Sequence, residues 1–330
     1  MKATQRFRLP LLALAVLAFS LTAAACGGNS KKLSLVAYST PQEAYQELIP
    51  AFQKTSAGKG VDFNQSYGAS GDQERAVEAG LKADVVALSL APDIDKLVKA
   101  GKVDANWNKN RFRGFVTNSV VVLAVRKGNP KNIRTWDDLI KPGVEVITPN
   151  PFTSGGARWN VMAAYGAQLA QGKSPQEALA YLTQLFKNVA VQDKSAREAL
   201  QTFTGGKGDV LISYENEAIT AQQKGESIDY VIPDQTILIQ NPAAVTKDSK
   251  PEAKSFLDFL WTPQAQKIYA SKGYRSVIPS LVDKSKYPAP KNLFTIDKLG
   301  GWSLVTDKFF DPTKGFLVDI EKQKGVPTEK

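Results

Sequence analysis

An α/β fold is predicted for this chain by three observations. Short apolar, β-branched runs alternate with amphipathic helical stretches over most of the sequence. No internal repeat of fixed period interrupts that alternation. Apolar residues make up 43% of 330 residues, enough to fill one large core or two lobes.

The elements follow in order. Leu33 to Tyr38 reads as a strand, Pro41 to Gln53 as a helix, Val61 to Ser66 as a strand and Asp72 to Ala79 as a helix. Asp84 to Leu90 is a buried strand, Asp93 to Ala100 a helix stopped by Gly101, and Ser119 to Val125 a continuous apolar strand ending at Lys127-Gly128-Asn129-Pro130. A second set comprises a strand at Val144 to Thr148, helices at Ala157 to Leu169, Pro175 to Phe186 and Ala196 to Phe203, and a strand at Val210 to Tyr214. Thr236 to Gln240 returns to strand character, followed by helices at Pro251 to Leu260 and Pro263 to Lys272.

The first 25 residues carry a different signal. Lys2, Arg6 and Arg8 precede an apolar run, Leu9 to Leu21, too short to span a bilayer comfortably, and Ala23-Ala24-Ala25 lead to the single cysteine, Cys26. That pattern predicts an export signal over 1–25, with Cys26 as the lipidated residue of an exported lipoprotein and 26–32 as its linker. Ala23 stands where such lipoboxes usually carry leucine, so cleavage further upstream, giving a soluble exported form, is the alternative. The chain has no histidine, which removes serine-histidine and cysteine-histidine catalysis and histidine-ligated zinc. With no second cysteine, stability comes from packing rather than disulfides. The net charge of +10 is scattered, without like-charge blocks or interleaved aromatics, so it predicts a general pull on anions and no nucleic-acid partner.

Four places share one local grammar, in which a strand or loop leads to a small or hydroxyl residue and then to a helix start: Thr40-Pro41, Gly68-Ala69-Ser70-Gly71-Asp72, Ser154-Gly155-Gly156 and Lys194-Ser195-Ala196. Each alone reads as a helix cap. Together they predict that several helix N-termini converge on a cleft and hold a dianion by uncharged N-H and O-H donors. Gly155 and Gly156 would let the backbone approach the ligand closely.

The run Val146-Ile147-Thr148-Pro149-Asn150-Pro151, then Ser154-Gly155-Gly156-Ala157-Arg158-Trp159-Asn160, resembles the signature of bacterial sulfate-binding proteins of ABC transporters. Arg126-Lys127-Gly128-Asn129-Pro130, Trp136-Asp137-Asp138-Leu139, Gly208-Asp209-Val210-Leu211-Ile212, Glu215-Asn216-Glu217-Ala218 and Gly300-Gly301-Trp302 extend the likeness. The resemblance implies a two-lobed type II periplasmic binding fold with its ligand in the cleft between lobes, 33–117 with 238–330 and 118–237. It places ligand donors on Thr40, Ser70, Ser154, Gly155, Gly156, Ala196 and Tyr214, the last standing where relatives have an indole. It implies a monomer that captures sulfate outside the cytoplasm, delivers it to ABC permease subunits, meets the membrane only through its N-terminal lipid, and needs no cofactor or metal. Thiosulfate, molybdate or phosphate are the alternative ligands, and an exported sulfate or phosphate ester hydrolase is a remote alternative class. Asp72 enters this choice, because as a helix cap it leaves a donor-only site suited to sulfate, whereas facing the cleft it would accept the proton of monohydrogen phosphate. Arg158 and Arg197 are expected around the cleft or paired with Glu215 and Glu217, and Trp159 and Tyr165 in the core.

Overall fold

The computed structural model describes residues 31–328, so the export signal and Cys26 lie outside the described residues. Strand β1 (Lys31–Tyr38) pairs in parallel with β2 (Val61–Gly68) on one side and β3 (Val85–Ala87) on the other. Helices α1 (Gln42–Gln53), α2 (Ser70–Glu78) and α3 (Ala91–Lys99) follow these three strands in turn. A second parallel block is formed by β5 (Val146–Ile147), β6 (Val189–Val191) and β7 (Val210–Tyr214). Its helices are α4 (Gly155–Ala170), α5 (Pro175–Asn188), α6 (Ala196–Thr204) and α7 (Glu215–Gln223).

Two long strands join the blocks. β4 (Phe115–Arg126) and β9 (Gln235–Val245) pair antiparallel with each other, β9 continues onto β3, and β4 continues onto β7. The sheet order is therefore β2-β1-β3-β9-β4-β7-β5-β6, with β8 (Ile228–Val231) on β4 and β10 (Asn292–Phe294) on β9. Helices α8 (Pro251–Leu260), α9 (Pro263–Ser271), α10 (Gly301–Val305) and α11 (Phe316–Gln323) complete the order.

Side-chain chemistry explains the packing. Strands β3 and β4 are covered on both faces and are correspondingly Val-rich, as buried sheet interiors require. One core gathers Leu33, Leu35, Tyr45, Phe52, Phe256 and Tyr269 from the first block and from α8 and α9. Another gathers Val121, Trp136, Trp159, Tyr165, Leu185 and Tyr214 from the second block. The C-terminal segment packs Phe294, Phe309, Phe310 and Leu317 into this second core. Helix α4 is apolar nearly all round and buried nearly throughout, as a helix enclosed by sheet and tail must be. A methyl group at its Gly166 would lie 2.3 Å from the Phe294 ring, so the glycine admits that ring.

Four expected helix starts differ: α2, α3 and α4 begin at Ser70, Ala91 and Gly155, two residues before Asp72, Asp93 and Ala157, and α1 begins one residue after Pro41. Pro41 occupies the N-cap of α1 without a side-chain cap, and the helix begins at Gln42, because Thr40 Oγ1 turns away to Tyr274 Oη at 3.1 Å.

Candidate anion-binding site

All the parallel strands of both blocks lead from their carboxyl ends into helix N-termini, the place where open α/β sheets bind ligands. There a small pocket is lined by Tyr38, Ser39, Ala69, Ser70 and Ser89 from the first block. Ser154, Gly155, Gly156, Ser195, Ala196 and Tyr214 line it from the second. Every lining residue is uncharged.

The donors arise from local structure. Ser70, Gly155, Gly156 and Ala196 stand in the first turns of α2, α4 and α6, and their N-H groups have no carbonyl acceptor among the described residues. Three helix dipoles add partial positive charge at the same point. Ser154 Oγ accepts from Ala157 N at 3.3 Å and Ser195 Oγ accepts from Glu198 N at 3.2 Å, so each hydroxyl keeps its proton for the pocket. Tyr214 Oη and Ser89 Oγ lie 2.6 Å apart, and whichever of them accepts retains one proton to donate inward.

Tyr38 offers a further donor. Its buried hydroxyl makes no hydrogen bond among the described residues, although Thr40, Tyr274 and Thr117 stand around it. Burial pushes this phenol up to about 12 and lifts Tyr214 well above its ordinary value, so both keep their protons at neutral pH.

The glycines are sterically required. A Cβ on Gly155 would lie 2.6 Å from Ser89 Cβ and Oγ, and one on Gly156 would lie 2.8 Å from the Tyr214 ring. The two positions therefore hold the walls of the pocket in contact.

Charged groups surround the pocket at one remove. Arg197 spans the blocks, forking onto Glu43 of α1 at 2.6 and 2.7 Å and onto Glu217 of α7 at 3.0 and 2.8 Å, and donating to the Thr40 carbonyl at 3.2 Å. Lys224 also pairs with Glu43. Glu43 loses solvent on burial, but the hydrogen bonds from Arg197 and Lys224 outweigh that and hold its carboxyl at about 2. Asp72 pairs with Arg75 and does not line the pocket. Arg158 is buried beneath, donating to the Pro151 carbonyl at 2.8 Å with its guanidinium over the Phe310 ring, so it pairs with neither Glu215 nor Glu217. Glu215 instead takes Arg275 in a bidentate bridge at 2.6 and 2.9 Å.

Of the expected donors, Ser70, Ser154, Gly155, Gly156, Ala196 and Tyr214 meet in one pocket, and Thr40 stands one residue beyond the lining, where Ser39 takes the place. The Ser70 side chain is turned away from the ligand space, because its hydroxyl donates to Asp93 Oδ2 at 2.7 Å and accepts from Ser89 N at 2.9 Å. Its backbone amide is what remains. Tyr38, Ser89 and Ser195 join the lining beyond the sequence-based set. Ser89 carried a usable signal, since it lies in the short connection between β3 and α3, which has Pro92 in its first turn.

Comparison with known proteins identifies the family of the chain. Residues 33–275 match the family described as bacterial extracellular solute-binding protein. A sulfate-binding protein of Synechococcus elongatus is 44% identical, covering 93% of this chain and 94% of that protein. A thiosulfate-binding protein of Pseudomonas aeruginosa is 34% identical over 91% of the chain and 95% of its own length. The solved structure of the sulfate-binding protein SubI from Mycobacterium tuberculosis superposes with a TM-score of 0.83 at 45% identity, covering 85% of this chain and 99% of that one, and its likeness places the fold among two-lobed type II periplasmic binding proteins. The chain belongs to the bacterial extracellular solute-binding protein family, in the branch that includes sulfate-binding proteins of ABC transporters.

Proposed function

We propose that this protein captures sulfate outside the cytoplasm and delivers it to ABC permease subunits. The observation that carries the reading is the lining itself, which presents amide and hydroxyl donors from three helix starts and contains no carboxylate. Sulfate at neutral pH only accepts hydrogen bonds, so every donor is used. Monohydrogen phosphate brings a proton that would need an acceptor, and Asp72, the nearest sequence candidate for one, is engaged with Arg75. An unmatched polar group in a dry pocket costs about 1–3 kcal/mol.

Thiosulfate is also an acceptor-only dianion and belongs to the same class of ligand. An ester hydrolase would need a base at the pocket, and its lining supplies none. The protein acts as a monomer tethered by a lipid on Cys26. Of the expected lobes, 33–117 with 238–330 and 118–237, we keep the first only through α9, because the C-terminal segment packs its apolar residues into the second core, and β4 and β9 serve as the crossings.

Melting of the chain in the presence of sulfate, thiosulfate, molybdate and phosphate, each in turn, tests this reading. A ligand at 100 times its dissociation constant adds about 2.7 kcal/mol of stability. The expected result is a clear rise with sulfate and none with phosphate. A rise with phosphate alone, or with no anion, overturns the sulfate assignment.

A further inference from the structure

The C-terminal helix and the residues after it reach the two loops that build the second-block half of the pocket. Asn150 donates from Nδ2 to the Pro327 carbonyl at 3.0 Å, while its own carbonyl accepts from Ser154 N at 2.8 Å and its Oδ1 accepts from Phe152 N at 2.7 Å. Gln192 donates from Nε2 to Glu321 Oε2 at 2.7 Å, three residues before Ser195. The loops are also tied to each other, through Asn150 N to the Asp193 carbonyl at 2.8 Å and Thr153 Oγ1 to the Lys194 carbonyl at 2.7 Å. The tail thus touches, at two points, the turns that aim the Ser154, Gly155, Gly156 and Ala196 donors.

The Gln192–Glu321 contact is incomplete. Glu321 is fully buried, its Oε1 has no hydrogen-bond partner among the described residues, and Gln192 Oε1 has none either. Two buried acceptors on one contacting pair lack a donor, and a single proton on the carboxyl supplies one. Resting on the sulfate reading above, we propose that Glu321 is a positioning residue for the anion site, holding the Gln192 loop as a protonated acid and linking sulfate affinity to the uptake of that proton.

The surroundings fit a neutral acid. Burial is the main influence, partly offset by the Gln192 hydrogen bond and by Lys324, and it holds Glu321 at about 7. Asp319, Lys322 and Lys324 share its helix, and Asp307 and Lys308 come from the Thr306–Phe310 turn packed against that helix. Asp193 and Lys194 come from the loop, and Arg158 from α4 stands over Phe310. Of these, Lys324 alone bears on the Glu321 charge. Ionisation would place an unpaired negative charge behind the loop and remove the donor, and both effects oppose a dianion.

The chain has no histidine, so a binding change near neutrality has no histidine background. Sulfate carries no titrating proton there. Calorimetric titration of the full mature chain with sulfate should show affinity falling about 3- to 10-fold from about pH 6 to about pH 8.5. Glu321→Gln, which keeps an amide donor and cannot ionise, should bind at both pH values with the acid-side affinity of the parent. Gln192→Met should weaken binding on the acid side to the parent's alkaline value. A flat parent profile, or equal falls in the parent and Glu321→Gln, overturns the proposal while leaving sulfate capture intact. Failure of the parent to bind sulfate at any pH refutes the sulfate reading instead. Melting without ligand at each pH separates misfolding from lost binding.

Discussion

Gly155→Asp should lose sulfate binding by a thousandfold or more, about 4 kcal/mol, while the unliganded protein still folds and melts cooperatively at a lower temperature. The new Cβ would come within 2.6 Å of Ser89 and 2.9 Å of Leu90. Those residues come from the first block, but Leu90 also packs into the second core, so the collision opens the cleft and costs some stability as well as affinity. The carboxylate then lies where the dianion is proposed to sit. Gly155 opens α4, where a negative side chain is favoured by the helix dipole, which offsets part of that cost to folding. Gly155→Ala separates the two contributions, since it wedges without adding charge and should show an intermediate loss. Calorimetric titration reads both variants, and unchanged affinity in Gly155→Asp would place the site elsewhere.

Arg197→Met should destabilise the fold by about 3–5 kcal/mol, because it strands Glu217, which is fully buried, and removes two of the three side-chain hydrogen bonds to Glu43. A fall in Tm of roughly 5–10 °C is the expected reading for a chain of this size. Arg197→Lys should recover little, since one ammonium cannot reproduce two bidentate forks. The same bridge sets an acid limit. Glu43 sits at about 2, below its ordinary 4.5, so its contribution is complete above the ordinary carboxylate range and is lost as pH falls from about 4.5 toward 2. Acid melting curves should therefore diverge between parent and variant near neutrality and converge at low pH. Equal Tm values at neutral pH would remove Arg197 from any role in holding the blocks together.

The order of the fold was legible wherever side-chain periodicity was strong. The Val-rich run of β4, the apolar start of β7 and the Pro and Gly boundaries of α3, α5, α8 and α9 all announce themselves. Helix α7 is not legible in this way, because Glu215, Asn216 and Glu217 are polar residues buried by pairing rather than by hydrophobicity. The tail is similar. Its core residues, Phe309 and Leu317, are readable as apolar, but nothing local says which core they enter. In the pocket, helix-start grammar brought out the backbone donors. The orientation of Ser70 depended on Asp93, and the exchange of Thr40 for Ser39 depended on the distant Tyr274, and neither contact leaves a local mark.

An uncharged pocket inside a basic protein divides the kinetics of capture from those of release. The net positive charge acts on an approaching dianion over a Debye length, so added salt slows encounter. At the proposed site an anion would meet only neutral donors and tyrosines that keep their protons, on which dissolved ions have little hold. Residence time thus belongs to the backbone and arrival time to the surface, and each can drift in evolution without disturbing the other.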